Sequence, residues 1–288
     1  MQAQHQCSGR NSFSLHPIAA LASLLLLFGL LGCGDSGSPP PSPAASRAES
    51  EATTLGVPRE RKVEVGQVTL LMEYIPSGEF TMGSAESKFA EDETPHHVAI
   101  ERGFYLSKTE VTQAQYSGIV NTNPSAFMGA DLPVENVSWD EATAYCTKVS
   151  ELLHETVRLP TEAEWEYACR SGTTTKYYSG DDEAALAKAA YYVANSQDRT
   201  HATGRLAANA WGLCDMHGNV WEFCQDGRVV EVPDEKDPSK KTQTDCRMIR
   251  GGSWMDQPDF CRSFSRTIVK RPFRNPNIGF RVLIELKK

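Results

Sequence analysis

The chain has 288 residues, enough for one or two domains and for a sizeable hydrophobic core. It carries 29 Lys and Arg against 37 Asp and Glu, which gives a formal net charge of −8 and a pI near 5.5. This acidic balance, without a long basic run or an arginine-rich helix, argues against a nucleic-acid partner. Five Trp and 21 Gly favour a domain rich in ordered loops over a helical bundle.

Residues 1–33 are predicted to be a signal peptide. Arg10 precedes an uncharged apolar run, Ile18 to Leu31, which is short for a membrane-spanning helix. The run ends in Leu-Leu-Gly-Cys33, which resembles the bacterial lipobox, in which the cysteine is lipidated. An ordinary signal peptide, or a short anchor in which Cys33 is incidental, is the alternative. Position two of the mature chain would be Gly34, so the aspartate that retains such lipoproteins in the inner membrane is missing.

Residues 34–60 are predicted to be a disordered tether. The stretch Gly-Ser-Pro-Pro-Pro-Ser-Pro-Ala-Ala-Ser contains no residue that would build a core. We expect this tether to hold the rest of the chain off a membrane surface, with the protein in the cell envelope outside the cytoplasm.

A single domain is predicted over residues 61–288. Alternating apolar residues from Val63 to Met72 indicate strands, and a further strand is predicted over Glu79–Met82 after a Pro-Ser-Gly turn. The last predicted strand is Ile278–Ile284. No internal repeat is visible.

Three helices are predicted. Ser138-Trp-Asp-Glu141 and Thr161-Glu-Ala-Glu164 are capping boxes, in which a serine or threonine caps the helix and a glutamate lies three residues on. Apolar residues at helical spacing follow both. A third helix is expected to start at Thr112.

The stretch from Trp211 to Cys224, with Arg250-Gly-Gly-Ser-Trp254, follows neither a helical nor a strand period. Glycines beside tryptophans suggest main chain that runs close to packed rings. Oxygen ligands at the spacing of Asp215, Gly218, Val220 and Glu222 could surround a hard cation such as calcium. By itself this spacing equally suits a solvated, glycine-rich turn.

Eight segments together resemble the formylglycine-generating, sulfatase-modifying-factor family. They occur in the family's order from about Val63 to Ile284 and are Gly78–Gly83, Glu93–Val98, Glu110–Tyr116, Pro133–Trp139, Arg158–Tyr167, Gly212–Glu222, Arg250–Trp254 and Gly279–Val282. The resemblance implies an α+β fold: one loop-rich domain of the formylglycine-generating-enzyme type, a variant of the C-type-lectin-like fold.

The resemblance also implies structural calcium sites. The first would use the Asp215 and Glu222 side chains with the carbonyl groups of Gly218 and Val220. The second would map, across a loop of variable length, to Asn195, Ser196, Asp198 and Thr200. Calcium would act chiefly by tying together loops with little apolar area of their own.

The resemblance also implies a copper cofactor, of whose two cysteine ligands at most one is present here. In the family, two cysteines bind copper(I), and oxygen converts a cysteine in a Cys-x-Pro-x-Arg sequence to formylglycine. The first of these cysteines maps to Asp256, a hard ligand poorly suited to copper(I). Cys261 stands eight residues after Ser253, where the second belongs, although counting back from Arg266 does not place it there. Ser253 and Trp221 match positions that line the family's active groove, and both residues also pack well in structural roles.

Six cysteines remain after cleavage and lipidation, and an exported chain meets oxidising conditions. They allow 15 pairings, among which the sequence does not choose. The resemblance assigns disulfide positions to Cys146 and Cys169, but the family's partner positions map to Val282 and about Arg266, so those bonds cannot form.

Two classes of function follow from the resemblance. The chain is an oxygen-dependent oxidoreductase that acts on a cysteine or another exported substrate, or a non-catalytic, calcium-stabilised, lectin-like module that binds an exported protein, peptide or glycan. Asp256 argues against copper chemistry. The chain has no room for the helical iron-binding domain of ergothioneine-type sulfoxide synthases, whereas a stand-alone oxidase of the siderophore-maturation kind stays open.

Overall fold

The computed structural model describes residues 41–86, 93–233 and 241–287. The predicted signal peptide, with Cys33, lies outside these residues. Within them, the model contains no helix with the length and apolar character needed to cross a membrane.

The described residues form five α-helices and thirteen strands, most of the strands short. In order they are α1 (Pro43–Leu55), β1 (Glu60–Val65), β2 (Val68–Ile75), β3 (Gly78–Met82), β4 (His96–Ile100), β5 (Phe104–Ser107), α2 (Gln113–Val120), α3 (Trp139–Leu153), β6 (Val157–Arg158), α4 (Glu162–Arg170), α5 (Glu183–Leu186), β7 (Ala190–Tyr191), β8 (His217–Gly218), β9 (Trp221–Pro233), β10 (Lys241–Arg250), β11 (Arg266–Lys270), β12 (Ile278–Gly279) and β13 (Leu283–Glu285).

Two larger sheets build the framework. One has the strand order β1-β2-β5-β13-β6 and the other β11-β10-β9-β12, while β3 pairs with β4 and β7 with β8. The strands β12 and β13 replace the single last strand predicted over 278–284, because residues 280–282 leave one sheet and enter the other. Phe280 and Val282 are completely buried at this crossing. The short connection therefore joins the two sheets through the core.

The three predicted helices are confirmed as α2, α3 and α4. Each begins at the predicted cap, since the side chains of Thr112, Ser138 and Thr161 accept hydrogen bonds from the main chain three residues on. In all three, the glutamine or glutamate at that position bonds back to the main chain of the cap. Helix α4 places its inner face against β9 and β10, beside the candidate site.

The structure contradicts the predicted tether over α1. Ser42 caps this helix, proline occupies its first turn, and Gly56 ends it in a left-handed conformation at φ 66°. Ala48 and Ala52 are buried, and the Trp211 indole donates to the carbonyl oxygen of Ala44 at 2.9 Å. A helix with only two small residues on its buried face has the composition of a linker, which is why the composition misled the prediction.

Candidate functional site

The two glycine- and tryptophan-rich segments meet because β9 and β10 pair antiparallel. This pairing sets Glu222, near the start of β9, opposite Arg250, at the end of β10. The chain then turns through Gly251 and Gly252 at positive φ angles of 96° and 74°. A Cβ atom on Gly252 would lie 2.6 Å from the Cys261 sulfur, so the turn requires glycine there.

Asp256 is the centre of this turn. Its Oδ2 atom accepts a hydrogen bond from the Trp221 indole at 2.8 Å and another from the Ser253 hydroxyl. Asn277 donates in turn to the Ser253 hydroxyl at 3.2 Å. Burial raises the pKa of Asp256 and the hydrogen bonds from Ser253 and Trp221 oppose that shift. The structure thus brings Trp221 and Ser253 together at the carboxylate of Asp256.

Cys261 lies beside this turn, with its thiol inside an apolar cluster. It is completely buried, and its cluster contains Tyr177, Leu186, Ala190 and Tyr192. Burial raises the pKa of the thiol well above its usual range, and the Asp256 carboxylate raises it further. Because the thiolate is the form that binds metals and attacks substrates, this environment keeps Cys261 inert.

These residues do not fit copper(I). Near-linear copper(I) coordination in the family uses two thiolates, and here the pair is one carboxylate, bonded to Trp221 and Ser253, and one buried thiol. Five cysteines of the described residues are free and buried: Cys146, Cys169, Cys214, Cys224 and Cys261. None of the other four lies in the Asp256 turn.

A buried ion pair connects the elements that carry the site. Arg281 donates from Nε and Nη2 to the two carboxylate oxygens of Glu222 at 2.6 and 2.7 Å, and both side chains are fully buried. The Trp165 indole also donates to Glu222 at 2.7 Å. Through these bonds α4, β9 and the segment between β12 and β13 are fixed to one another.

The first predicted calcium site lies in a region with excess buried negative charge. Glu110, Asp215 and Glu222 are buried around the single positive charge of Arg281. Burial, with the Asp215 and Glu222 charges added, raises the pKa of Glu110 well above its usual range, and burial raises that of Asp215 to about 6. In the described residues Glu110 Oε1 has no hydrogen-bond partner.

This surplus charge fits a divalent cation. The described residues do not gather three His, Cys, Asp or Glu side chains into a metal-binding group, so main-chain oxygens must complete the shell, as calcium allows. The predicted set would take carboxylates from Asp215 and Glu222 and carbonyl groups from Gly218 and Val220, and Glu222 would have to share its oxygens with Arg281 and Trp165. A Cβ atom on Gly218 would lie 2.1 Å from the carbonyl oxygen of Tyr191, so glycine lets this segment approach β7.

Two residues of the second predicted calcium site, Asn195 and Ser196, form hydrogen bonds within the protein. Asn195 bonds to the main chain of Tyr192 and Ala190, and the Ser196 hydroxyl donates to the carbonyl oxygen of Trp254 at 2.7 Å. Asp198 is exposed, whereas Thr200 is buried. Ser196 therefore braces the Asp256 turn, the Thr200 hydroxyl has no partner among the described residues, and we do not assign a cation to the set.

A group of apolar residues, the apolar rim, adjoins the Asp256 turn. We give this name to Phe127, Met128, Val193, Trp254 and Met255. Met128, Val193 and Met255 are 67%, 37% and 47% exposed, which places them among the most exposed large hydrophobic residues of the described chain. Val193 donates its main-chain N–H to the carbonyl oxygen of Asp256 at 3.1 Å, and the Phe127 and Trp254 rings pack edge to face, 5.5 Å apart.

Sequence reasoning missed three residues of the site: Glu110, Asn277 and Arg281. Glu110 and Arg281 belong to motifs that carried the resemblance, yet nothing in their spacing indicated that they share one buried cluster. Asn277 precedes β12, within Asn-Pro-Asn, which suggests a turn and gives no sign of a bond to Ser253.

Comparison with known proteins agrees with the resemblance. The model of the sulfatase-modifying factor enzyme 1-like domain matches residues 59–286. The formylglycine-generating enzyme of Mus musculus is 27% identical over 88% of this chain and 86% of that protein, and that of Streptomyces coelicolor is 29% identical over 84% and 94%.

Among solved structures, Treponema denticola variable protein 1 is similar, with a TM-score of 0.70 and 28% identity over 80% of this chain and 100% of that one. The predicted fold is thereby confirmed: a mixed helix and sheet domain of the formylglycine-generating-enzyme type, which is C-type-lectin-like. With the family model matched across both sheets and the Asp256 turn, this chain belongs to the sulfatase-modifying-factor family.

Proposed function

We propose that this protein is a non-catalytic binding module of its family, which holds an exported polypeptide at the Asp256 turn. One observation carries the proposal. Where the family has its first copper-binding cysteine, Asp256 is bonded to Trp221 and Ser253, and the remaining thiol of Cys261 is buried and protonated. A site without an accessible thiolate has lost the ligands on which the family's oxidation depends.

The apolar rim supports binding at this turn. Exposed apolar side chains that cluster on a folded surface commonly mark an interaction site. Three of them, Met128, Val193 and Met255, are aliphatic, which suits an apolar polypeptide segment better than a polar glycan. Calcium at the first predicted site would hold the loops beneath in place. The membrane, through a lipid on Cys33, would be the other partner.

The competing proposal is that the protein is a formylglycine-generating oxidoreductase. The first experiment therefore tests for this activity. The reduced protein is supplied with copper(I) and incubated in air with a Cys-x-Pro-x-Arg peptide, whose mass is then measured. A competent formylglycine-generating enzyme, run in parallel, shows that the peptide can be converted.

We expect no mass change and no copper(I) binding strong enough to compete with a chelator. Conversion of the peptide that Cys261→Ala abolishes and Cys146→Ala leaves intact would overturn the proposal. Cys146 is the matched control because it is also a free, buried thiol, on helix α3 away from the Asp256 turn.

A further inference from the structure

Asp256 differs from the arginine-paired carboxylates of this protein. Arg250 bonds to Glu162 and Glu166, and Arg281 bonds to Glu222, so each of those charges is compensated in the interior. The donors to Asp256 are an indole and a hydroxyl, both neutral. Among the described residues, no Lys, Arg or His forms an ion pair with Asp256, whose side-chain partners are Trp221 and Ser253. A carboxylate withdrawn from water without a positive partner is costly.

Asp256 is also within reach of a ligand. As a residue it is partly exposed, whereas Glu162, Glu166 and Glu222 are buried. It stands next to Met255 in the chain and contacts the main chain of Val193, two residues of the apolar rim. Residues of the apolar rim therefore adjoin Asp256 along the chain and across this main-chain hydrogen bond.

We propose that Asp256 pairs with an organic cation of the ligand, an ammonium or guanidinium group on an apolar stem, such as the side chain of a lysine or arginine in a polypeptide. The inference rests on the proposed binding function and names the chemistry that the site recognises. The cation would supply the missing positive charge, while Trp221 and Ser253 hold the carboxylate in place. The stem would cover part of the apolar rim.

A metal ion fits this position less well. The groups bonded to its carboxylate are the Trp221 indole and the Ser253 hydroxyl, and an indole N–H cannot bind a metal ion. One carboxylate with neutral hydrogen-bond donors around it matches a single organic charge.

The test compares two probes of nearly the same shape. n-Butylguanidinium carries the charge and the apolar stem, and n-butylurea is its neutral counterpart. Binding to the protein is followed by NMR at the indole N–H of Trp221, which donates to Asp256 and therefore reports on that carboxylate. We expect n-butylguanidinium to bind about tenfold more tightly than n-butylurea, the difference that a charge-assisted hydrogen bond provides.

Two variants distinguish an effect of the Asp256 carboxylate from an effect of the overall negative charge of the surface. Asp256→Asn keeps an oxygen that can accept from Trp221 and Ser253 and should remove the preference for the cation. Asp259→Asn, which removes an exposed carboxylate three residues away, should leave it unchanged. If Asp256→Asn fails to fold, the relative affinity of the unaltered protein for the two probes tests the inference by itself.

Equal affinity for the two probes, an unshifted Trp221 signal at saturating probe, or an unchanged preference in a folded Asp256→Asn would overturn the inference. Such a result leaves the proposed binding function standing when the peptide of the copper experiment is unconverted. Conversion of that peptide defeats the proposed function whichever probe binds, so the two failures are distinguishable.

Discussion

Glu135 is a completely buried carboxylate in the loop before α3. Its Oε1 atom accepts from the main-chain N–H of Phe127 at 2.9 Å, whereas Oε2 has no partner among the described residues. Burial raises its pKa to about 7, and the hydrogen bonds from Phe127 and Ala126 only partly oppose this. Since Phe127 packs on Trp254, Glu135 sits behind the apolar rim.

The Glu135 pKa predicts how stability depends on pH. Its folded-state pKa of about 7 lies above the ordinary value of 4.5, so between these values the folded state binds more protons than the unfolded state. Its contribution to stability therefore falls as pH rises through this window. We expect Glu135→Gln to be more stable than the unaltered protein at pH 8, by up to about 3 kcal/mol, and to lose this advantage near pH 4.

Urea unfolding at a series of pH values measures this difference. Glu151→Gln is the control, because Glu151 is exposed on α3. Parallel stability curves for Glu135→Gln and the unaltered protein from pH 5 to pH 8 would contradict the prediction.

Single residues were predictable from sequence only where a local motif defined them. Trp221 and Ser253 were placed in one groove by the family resemblance, and the structure joins them at Asp256. The partnerships of Glu110 with Asn219 and of Arg281 with Glu222 connect positions more than 50 residues apart. Such contacts are decided by how the two sheets pack, which local pattern does not encode.

Helix α1 shows the same limit at the scale of the element. Ser42, a proline in the first turn and Gly56 are ordinary start and stop signals, so the helix could have been read from its caps. The docking of α1 on the domain could not be read from the sequence, because it depends on hydrogen bonds that join Glu51 to β2 and to the turn that follows β2. Its carboxylate accepts from the Tyr74 hydroxyl and from the main-chain N–H of Ser77, both at 2.8 Å.

The contacts of Glu51 predict that α1 contributes to the stability of the whole domain. Glu51→Ala leaves the completely buried Tyr74 without its hydroxyl's acceptor, at a cost of about 2 kcal/mol in the free energy of unfolding. Glu49→Ala, on the exposed side of the same helix, should change it by less than about 0.5 kcal/mol. Equal effects of the two variants in denaturant unfolding would show that α1 is not docked as described.

At the scale of the whole molecule, buried charges connect distant parts of the chain. Arg250 is completely buried at the end of β10 and bonds to Glu162 and Glu166 of α4. Arg281 joins Glu222 of β9 to the carbonyl oxygens of Ser107 and Cys214. The loop-rich architecture was predictable from composition and resemblance, but this internal network was not, since it depends on arginines reaching across both sheets.

The surplus charge near Asp215 predicts that calcium stabilises the molecule. After treatment with a chelator, calcium at a hundredfold excess over its dissociation constant should add about 3 kcal/mol. For a chain of this size that corresponds to a rise in Tm of roughly 5–10 °C. Magnesium should add much less, because it accepts an irregular shell of main-chain oxygens poorly.

Asp215→Gly should remove the calcium-dependent increment, and it suits the positive φ of 57° at this position. Asp198→Asn, in the set to which we assign no cation, should keep the increment in full. An increment that persists in Asp215→Gly would place the ion elsewhere.

The start of α1 limits how far the protein can reach from a membrane. If Cys33 carries a lipid, only the nine residues from Gly34 to Ser42 separate the anchor from folded structure. Fully extended, they span ~30 Å. The domain would then stay close to the lipid surface. A polypeptide held at the Asp256 turn would have to come to that surface, or belong to another protein anchored there.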